Sequence, residues 1–407
     1  MHPRTVRRID TWLGQPLCGV LSLLRRVGRC RLGRSRLEGP PRKILFIKLI
    51  EMGSTVLAHR AFTAAAEMVG RENVYLAVFE ANRPIADIME LVPPENVIAI
   101  RDHTPFVLII DMLRAIRRVR RCGIDTAIDM EGFARASAIF AVLCGARRRV
   151  GLHRFTSEGP YRGRLMTHEV QYNFYLHTSL GFLSLVEALK RPPGEVPMLK
   201  QAVPTAADYP PPFKPTVDEQ TTVKQRLDGV AGRTVERPIV LLNPNASDLL
   251  PLRRWPTERF VELGRRLLAA RRDVTVVITG APSEQTAALE ITRAIDPVRA
   301  ACMAGRTTLR ELLVLYTLAD VLVTNDSGPA HFAALTDIHV ICLFGPETPV
   351  LYGPLTPRCD SVTANLACSP CVNVFNHRDS PCNDNKCMQA ISVDEVLRRT
   401  LQALRPA

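Results

Sequence analysis

Two adjacent guanidinium groups, Arg253 and Arg254, lie a few residues after Asn243-Pro-Asn-Ala-Ser247 and just before Trp255-Pro256. Guanidinium groups beside the free N–H groups of a helix start can grip a pyrophosphate, and Pro256 suits a first helical turn. Asn245 and Ser247 add polar side chains to the same loop. A second loop, Thr279-Gly-Ala-Pro-Ser-Glu284, is another tight turn into a helix, with Gly280 and Glu284 as its candidate contacts. In a third, Asn325-Asp-Ser-Gly-Pro-Ala-His331, Gly328 permits close backbone approach and Asp326 and Ser327 project at the helix mouth. Each loop has a plainer reading. Asp-Ser-Gly-Pro is a sound helix cap, and His331 suits a satisfied core histidine. Three in succession favour an anionic ligand.

Four cysteines near the end, Cys368, Cys371, Cys382 and Cys387, begin with a C-x2-C pair. Their number is that of a tetrahedral thiolate zinc site or an iron–sulfur cluster, although the spacing matches neither well. A metal held by all four would be structural, since no position stays open. A disulfide pair or plain thiols are the alternatives. The other seven of the eleven cysteines are scattered, as in a reduced, cytosolic protein.

These loops need elements to position them. Short apolar runs at 43–48, 74–79, 97–100 and 126–129 read as buried parallel strands, with helices at 56–69, 81–91 and 107–120 between them. After a Pro-rich stretch the pattern resumes, with strands at 238–242, 274–279, 321–324 and 340–344 and helices at 257–271, 283–295, 309–319 and 329–335. Alternation of this kind means α/β folding with parallel sheets covered on both faces, and 407 residues suffice for two cores. The expected division is a basic N-terminal segment (1–42), a first Rossmann-like domain (43–205), a Pro-rich linker (206–216) and a second Rossmann-like domain (217–407), the two domains facing each other across a cleft. Ligands of such sheets bind at the carboxyl ends of the strands, where the three loops fall.

The net charge of +13 does not indicate a nucleic-acid partner, because residues 1–43 hold eleven Arg and Lys against Asp10 and Glu38. A basic tail suits an anionic membrane surface. Within it Ile9, Trp12, Leu13, Leu17, Val20, Leu21, Leu24 and Val27 recur at helical spacing, flanked by Arg7, Arg8, Arg25 and Arg26. The stretch is too short to span a bilayer and Pro16 is expected to kink it, so it reads as an interfacial helix. A helix packed on the protein's own surface is the alternative. A secretory signal is disfavoured by Arg25 and Arg26, which stand where a cleavage site belongs.

The chain from Lys43 onward resembles glycosyltransferase family 9, the family of the lipopolysaccharide heptosyltransferases. The resemblance rests on Lys43-Ile-Leu-Phe-Ile-Lys-Leu49 with Gly53, Arg253-Arg-Trp-Pro256, Val277-Ile-Thr-Gly280 with Glu284, Ala304-Gly-Arg-Thr307 with Leu309, Asn325-Asp-Ser-Gly-Pro-Ala-His331, and Leu343-Phe-Gly-Pro346, in this order. It implies a GT-B fold and inverting sugar transfer with no cofactor required for catalysis. The donor is a nucleotide sugar, ADP-heptose being the family's best known, held by the C-terminal domain. It places Arg253 on the donor phosphates, and Asp326, Ser327, Gly328 and His331 at the donor sugar and diphosphate. Lys48, Gly53 and Ser54 fall on the acceptor side. Some family members carry similar C-terminal cysteines.

One departure bears on mechanism. The family's first strand-to-helix turn normally ends Gly-Asp, the Asp being the presumed base, whereas here it ends Gly53-Ser54. Serine cannot take a proton at ordinary pH. Glu51 in the same turn is the first replacement, with Asp129 and Glu131 in reserve, although Glu51 also reads as a solvated turn residue.

The expectation is an inverting transferase at the inner face of the cytoplasmic membrane, acting on a lipid-linked glycan such as lipopolysaccharide core. An inactive relative serving as a binding or assembly protein is the alternative. A nicotinamide oxidoreductase is disfavoured, since neither half has G-x-G-x-x-G after its first strand.

Overall fold

A computed structural model describes residues 10–32, 39–153, 161–204, 209–247, 250–376 and 379–404, with the side chains of 28–32 left aside. Arg7, Arg8 and Ile9 lie outside these residues. The chain forms two compact units, Met1–Ala207 with Val374–His377, and Asp208–Asn373 with Arg378–Ala407.

The first unit is built on a six-stranded sheet of order β3-β2-β1-β4-β5-β6, with every pairing parallel. Its strands are β1 (Ile44–Ile47), β2 (Val74–Phe79), β3 (Val97–Ile100), β4 (Thr126–Asp129), β5 (Arg148–His153) and β6 (His168–Gln171). The expected helix at 56–69 is two helices, Met52–Leu57 and His59–Val69. Helices Pro105–Arg121 and Arg135–Leu143 share a core with the sheet in which Ala115, Ile116 and Val119 meet Phe140, Ala141 and Cys144.

The second unit repeats the plan, with strand order β12-β11-β10-β7-β8-β9, again parallel throughout. These are β7 (Ile239–Asn243), β8 (Thr275–Ile278), β9 (Ala300–Cys302), β10 (Val321–Asn325), β11 (His339–Phe344) and β12 (Cys359–Thr363). Trp255 anchors its core against Phe260, the ring centroids 4.9 Å apart, and donates its indole N–H to the Ile391 carbonyl. The two Rossmann-like sheets are those of the expected α/β class.

Each sheet has its topological switch between its two central strands, β1 and β4 in the first and β7 and β10 in the second. The loops leaving those strands part in opposite directions and open a crevice for ligands. That places Lys48–Ser54 beside Met130–Phe133, and Pro244–Arg254 beside Asp326–His331.

The N-terminal helix Gly14–Leu32 tolerates Pro16 because a proline in the first turn forfeits no intrahelical donor. It packs through Cys18 on Ala138, Leu165 and Met166 of the first unit. Asp10 adds an ion pair to Arg135 at 3.0 Å and accepts from the Arg135 and Ala136 backbone N–H groups. Packing on the protein's own surface is therefore realised along one face, while Trp12, Leu17, Val20 and Leu24 stay exposed on others. Among the described residues no helix is long and apolar enough to cross a membrane.

Burial also sets one acid-sensitive point. His168 on β6 is 2% exposed, between the Thr167 hydroxyl and the Arg191 carbonyl. Desolvation, aided by Arg148 and Arg149, lowers its pKa from 6.5 to about 4. The folded state thus resists a proton that the unfolded chain accepts. Stability is complete above pH 6.5 and falls as pH drops toward 4, by roughly 3 kcal/mol for a shift of this size. His168→Gln should remove that part of the acid slope of Tm between pH 6.5 and 4. An unchanged slope would assign it to other groups.

Candidate active site

In the second unit, Asn325 at the end of β10 ties the two central loops together. Its amide donates to the carbonyls of Pro244 (3.0 Å) and Asn245 (3.2 Å) and accepts from the Trp255 backbone N–H (3.0 Å). Arg254 turns back to the Ala246 carbonyl, 2.8 Å from Nη2, so it holds the loop's shape.

Arg253 points the other way. Its Nη1 lies 3.3 Å from Glu347 Oε2 and 3.8 Å from Asp326 Oδ2, with both carboxylates buried. Its Nε is buried without a hydrogen-bond partner among the described residues. An unused guanidinium donor at a switch point fits an anionic ligand, because leaving it permanently unmade costs about 1–3 kcal/mol. Sequence reasoning missed Glu347, which follows β11 one residue beyond the Leu343–Pro346 motif. Its position just past a strand end was the available signal.

The neighbouring predicted residues fall around this point or support it. Gly280 lies so close to Asn245 that an added Cβ would stand 3.1 Å from Asn245 Nδ2. Glu284 is occupied in capping, accepting from the Ala281 N–H at 2.6 Å. Ser327 is buried and donates to the Asn325 carbonyl at 3.2 Å. His331 is buried one turn on, and Gly328 faces Phe332, whose ring a Cβ would meet at 3.0 Å. Ser247 is exposed, and its carbonyl accepts from the Leu250 N–H at 3.1 Å.

The first unit answers with a mirrored arrangement. Lys48, 2% exposed, lies 3.3 Å from Glu131 across the β1/β4 switch. The same Glu131 oxygen accepts from the backbone N–H groups of Leu49 (2.5 Å) and Ile50 (3.1 Å). Burial pushes the Glu131 pKa up, Lys48 opposes this, and the charge of nearby Glu51 adds to the rise. Glu131 thereby pins the turn that presents Glu51. Glu51 sits in the left-handed region, φ 67°, ψ 82°, a conformation that costs a non-glycine residue on the order of 1 kcal/mol and gathers at functional sites. Ser54 donates to the Glu51 carbonyl (3.0 Å) and reaches its Oε2 at 3.3 Å. Gly53 is buried in the short helix that follows.

Asp129 is fully buried. It pairs with Arg162 and accepts from Ser137 Oγ (3.0 Å) and from the Glu131 N–H (3.0 Å). It is a hub that holds structure.

Of the four C-terminal cysteines, Cys387 is buried, Cys371 half-buried, and Cys368 and Cys382 exposed. Cys371 Sγ faces Ser380 Oγ at 3.4 Å and Cys382 Sγ faces Asp384 at 3.7 Å. Among the described residues no group of three or more His, Cys, Asp or Glu is placed to hold a metal ion. The thiolate metal site that the number of cysteines allowed is thus not assembled among the described residues.

Comparison with known proteins takes in the motifs from Arg253 to Pro346 that carry the resemblance, while Lys43–Leu49 and Gly53 lie outside the family match. The family model described as glycosyltransferase family 9 (heptosyltransferase) matches residues 112–379. Lipopolysaccharide heptosyltransferase 2 of Salmonella typhimurium is 33% identical over 126 residues, 30% of this chain and 35% of that protein. Lipooligosaccharide heptosyltransferase 2 of Haemophilus influenzae is 31% identical over 166 residues, 39% and 47% of the two chains. The aligned regions thus span between a third and a half of these relatives. Among solved structures, ADP-heptose lps heptosyltransferase II of E. coli superposes with a TM-score of 0.67 at 20% identity, covering 89% of this chain and 98% of that one. A family 9 glycosyl transferase from Veillonella parvula gives 0.65 at 16%, covering 91% and 99%. At these identities the structures establish a shared fold, and the family match over residues 112–379 carries the assignment: the chain belongs to glycosyltransferase family 9.

Proposed function

We propose that this chain transfers a sugar, heptose or a related one, from a nucleotide-sugar donor to a hydroxyl of a lipid-linked glycan such as lipopolysaccharide core. The observation that carries this reading is Arg253, a partly buried side chain whose buried Nε has no hydrogen-bond partner among the described residues, at the switch point of the second sheet. The Salmonella typhimurium and Haemophilus influenzae relatives, a lipopolysaccharide and a lipooligosaccharide heptosyltransferase, support the substrate class.

In the reaction the acceptor hydroxyl loses its proton to Glu51 and its oxygen attacks the anomeric carbon. The bond from that carbon to the diphosphate breaks, leaving a nucleoside diphosphate and inverting the configuration. Cations preorganised at the leaving group stabilise its growing charge. Arg253 takes that role, with no divalent metal called on, and Arg254 keeps the loop in place. Asn245, Gly280, Asp326, Ser327 and His331 shape the donor pocket, and Lys48 and Ser54 line the acceptor side. The basic N-terminal segment keeps the enzyme at an anionic inner membrane surface, next to its acceptor.

A screen of nucleotide sugars by thermal shift identifies the donor, because a ligand that binds only the folded state raises Tm. We expect ADP-heptose or a close analogue to stabilise the protein, and transfer to a lipid-linked core acceptor to release the nucleoside diphosphate. Donor binding without transfer to any acceptor would instead support an inactive binding protein. No stabilisation by any nucleotide sugar would overturn the reading.

A further inference from the structure

Two helices of the first unit turn apolar side chains to solvent on the same side of the sheet. In Gly14–Leu32 the exposed residues Leu17, Val20, Leu24 and Val27 line one stripe, with Trp12, 78% exposed, just ahead. In Pro105–Arg121 the exposed residues Phe106 (72%), Ile109 and Leu113 recur at i, i+3 and i+7, while Ala115, Ile116 and Val119 are buried. Both helices pack on the helix between them, Arg135–Leu143. Cys18 meets Ala138 from one side, while Ile116 and Val119 belong with Phe140 and Ala141 on the other. Arg120 bonds the Leu143 carbonyl at 2.9 Å, and the Leu143 side chain at the end of that middle helix is itself partly exposed.

Charge selects what covers this face. Gly14–Leu32 contains no carboxylate, and the only one in Pro105–Arg121 is Asp111, which is buried and tied to Arg101 and Arg114. The outward face of the second helix is apolar in its first half, and its last two turns carry Arg114, Arg117, Arg118, Arg120 and Arg121. A second copy of the chain would bring like charge against like charge. An anionic bilayer accepts the apolar residues below its headgroups and the arginines among them.

We infer that the outward faces of Gly14–Leu32 and Pro105–Arg121 form one composite lipid-binding surface that seats the first unit on an anionic bilayer. The inference rests on the membrane reading of the N-terminal segment and adds to it a second insertion element nearly a hundred residues away in sequence. The second helix fixes how the unit sits, because two attachment lines define a plane where one leaves the body free to roll.

The test is flotation of the full chain with vesicles of phosphatidylethanolamine and phosphatidylglycerol, and with phosphatidylcholine alone. The wild type should bind the first, with affinity falling as salt rises, and bind the second far less. Phe106→Ser/Ile109→Ser/Leu113→Ser should weaken binding about tenfold or more, with the far-UV spectrum and Tm retained because all three side chains are exposed. Trp12 reports the other element, since the second tryptophan, Trp255, is buried. Quenching by brominated lipid should persist in the triple variant at saturating vesicles. Wild-type affinity in the triple variant, with binding lost in Trp12→Ser/Leu17→Ser/Leu24→Ser, would overturn the composite surface and leave the N-terminal anchor standing. No binding by the wild type to either vesicle would overturn both. A wild-type dimer converted to monomer by the triple variant would assign the face to a second copy and overturn the inference.

Discussion

Replacing Arg253 with methionine is expected to lower kcat/KM for sugar transfer by about 10²–10³-fold, the usual cost of removing one preorganised group from a developing anion. Methionine keeps the aliphatic stem and deletes the charge. The same change removes the cation that Asp326 and Glu347, both buried, share. Breaking a buried pair by deleting one partner typically costs about 3–5 kcal/mol, so Tm should fall at neutral pH and recover partly as the medium becomes acidic enough to protonate a carboxyl. The two effects separate in Arg253→Met/Glu347→Gln, where stability should return and activity should not. Steady-state kinetics beside a melting curve for each variant reads both. Wild-type turnover in the double variant would remove Arg253 from the chemistry and leave it a structural counterion.

Glu51→Gln is expected to reduce kcat by about 10²–10⁴-fold, the range for loss of a general base, with donor affinity unchanged because Glu51 lies in the first unit and Arg253 in the second. Ser54 already lies 3.3 Å from the Glu51 carboxylate. A carboxylate moved to position 54, where the family normally has Asp, therefore starts near the one removed. Glu51→Gln/Ser54→Asp should regain a measurable part of the lost rate, a result that a general folding defect cannot give. Single-turnover measurements with donor bound isolate the chemical step. Undiminished kcat in Glu51→Gln would show that another group takes the proton.

The sequence made the central strands legible, because β1, β2, β7 and β10 are short runs of Ile, Leu and Val bounded by polar turns. It hid the edges. Strand β5 begins with Arg148 and Arg149, both buried, a composition that does not read as a strand. Arg149 is accommodated because its guanidinium meets the carbonyls of Ala146 and Leu165, a satisfaction invisible without tertiary structure. Strand β9 is only three residues long, and β12, Cys359–Thr363, is partly exposed and carries no apolar run.

The same contrast holds at the site. The Asn325–His331 loop and the Arg253–Arg254 pair were readable from residue types placed at strand ends. The role of Arg162 in burying Asp129 was not, because the partners lie thirty-three residues apart, Asp129 at the end of β4 and Arg162 in the connection between β5 and β6. Nor did the periodicity of 105–121 say which of its apolar residues would remain outside.

The short return Val374–His377 sets the order in which the molecule can be completed. Phe375 lies with its ring centroid 5.4 Å from Tyr172 and 5.8 Å from Phe133, so these aromatics of the first unit gain a neighbour made only after residues 208–373. On a ribosome adding about 5–20 residues per second, the first unit waits on the order of ten to thirty seconds for its last side chain. During that interval Phe133 and Tyr172 lack the Phe375 ring that they meet in the finished unit. A nascent chain stalled before residue 374 should therefore be digested more readily within its first 207 residues than the released protein.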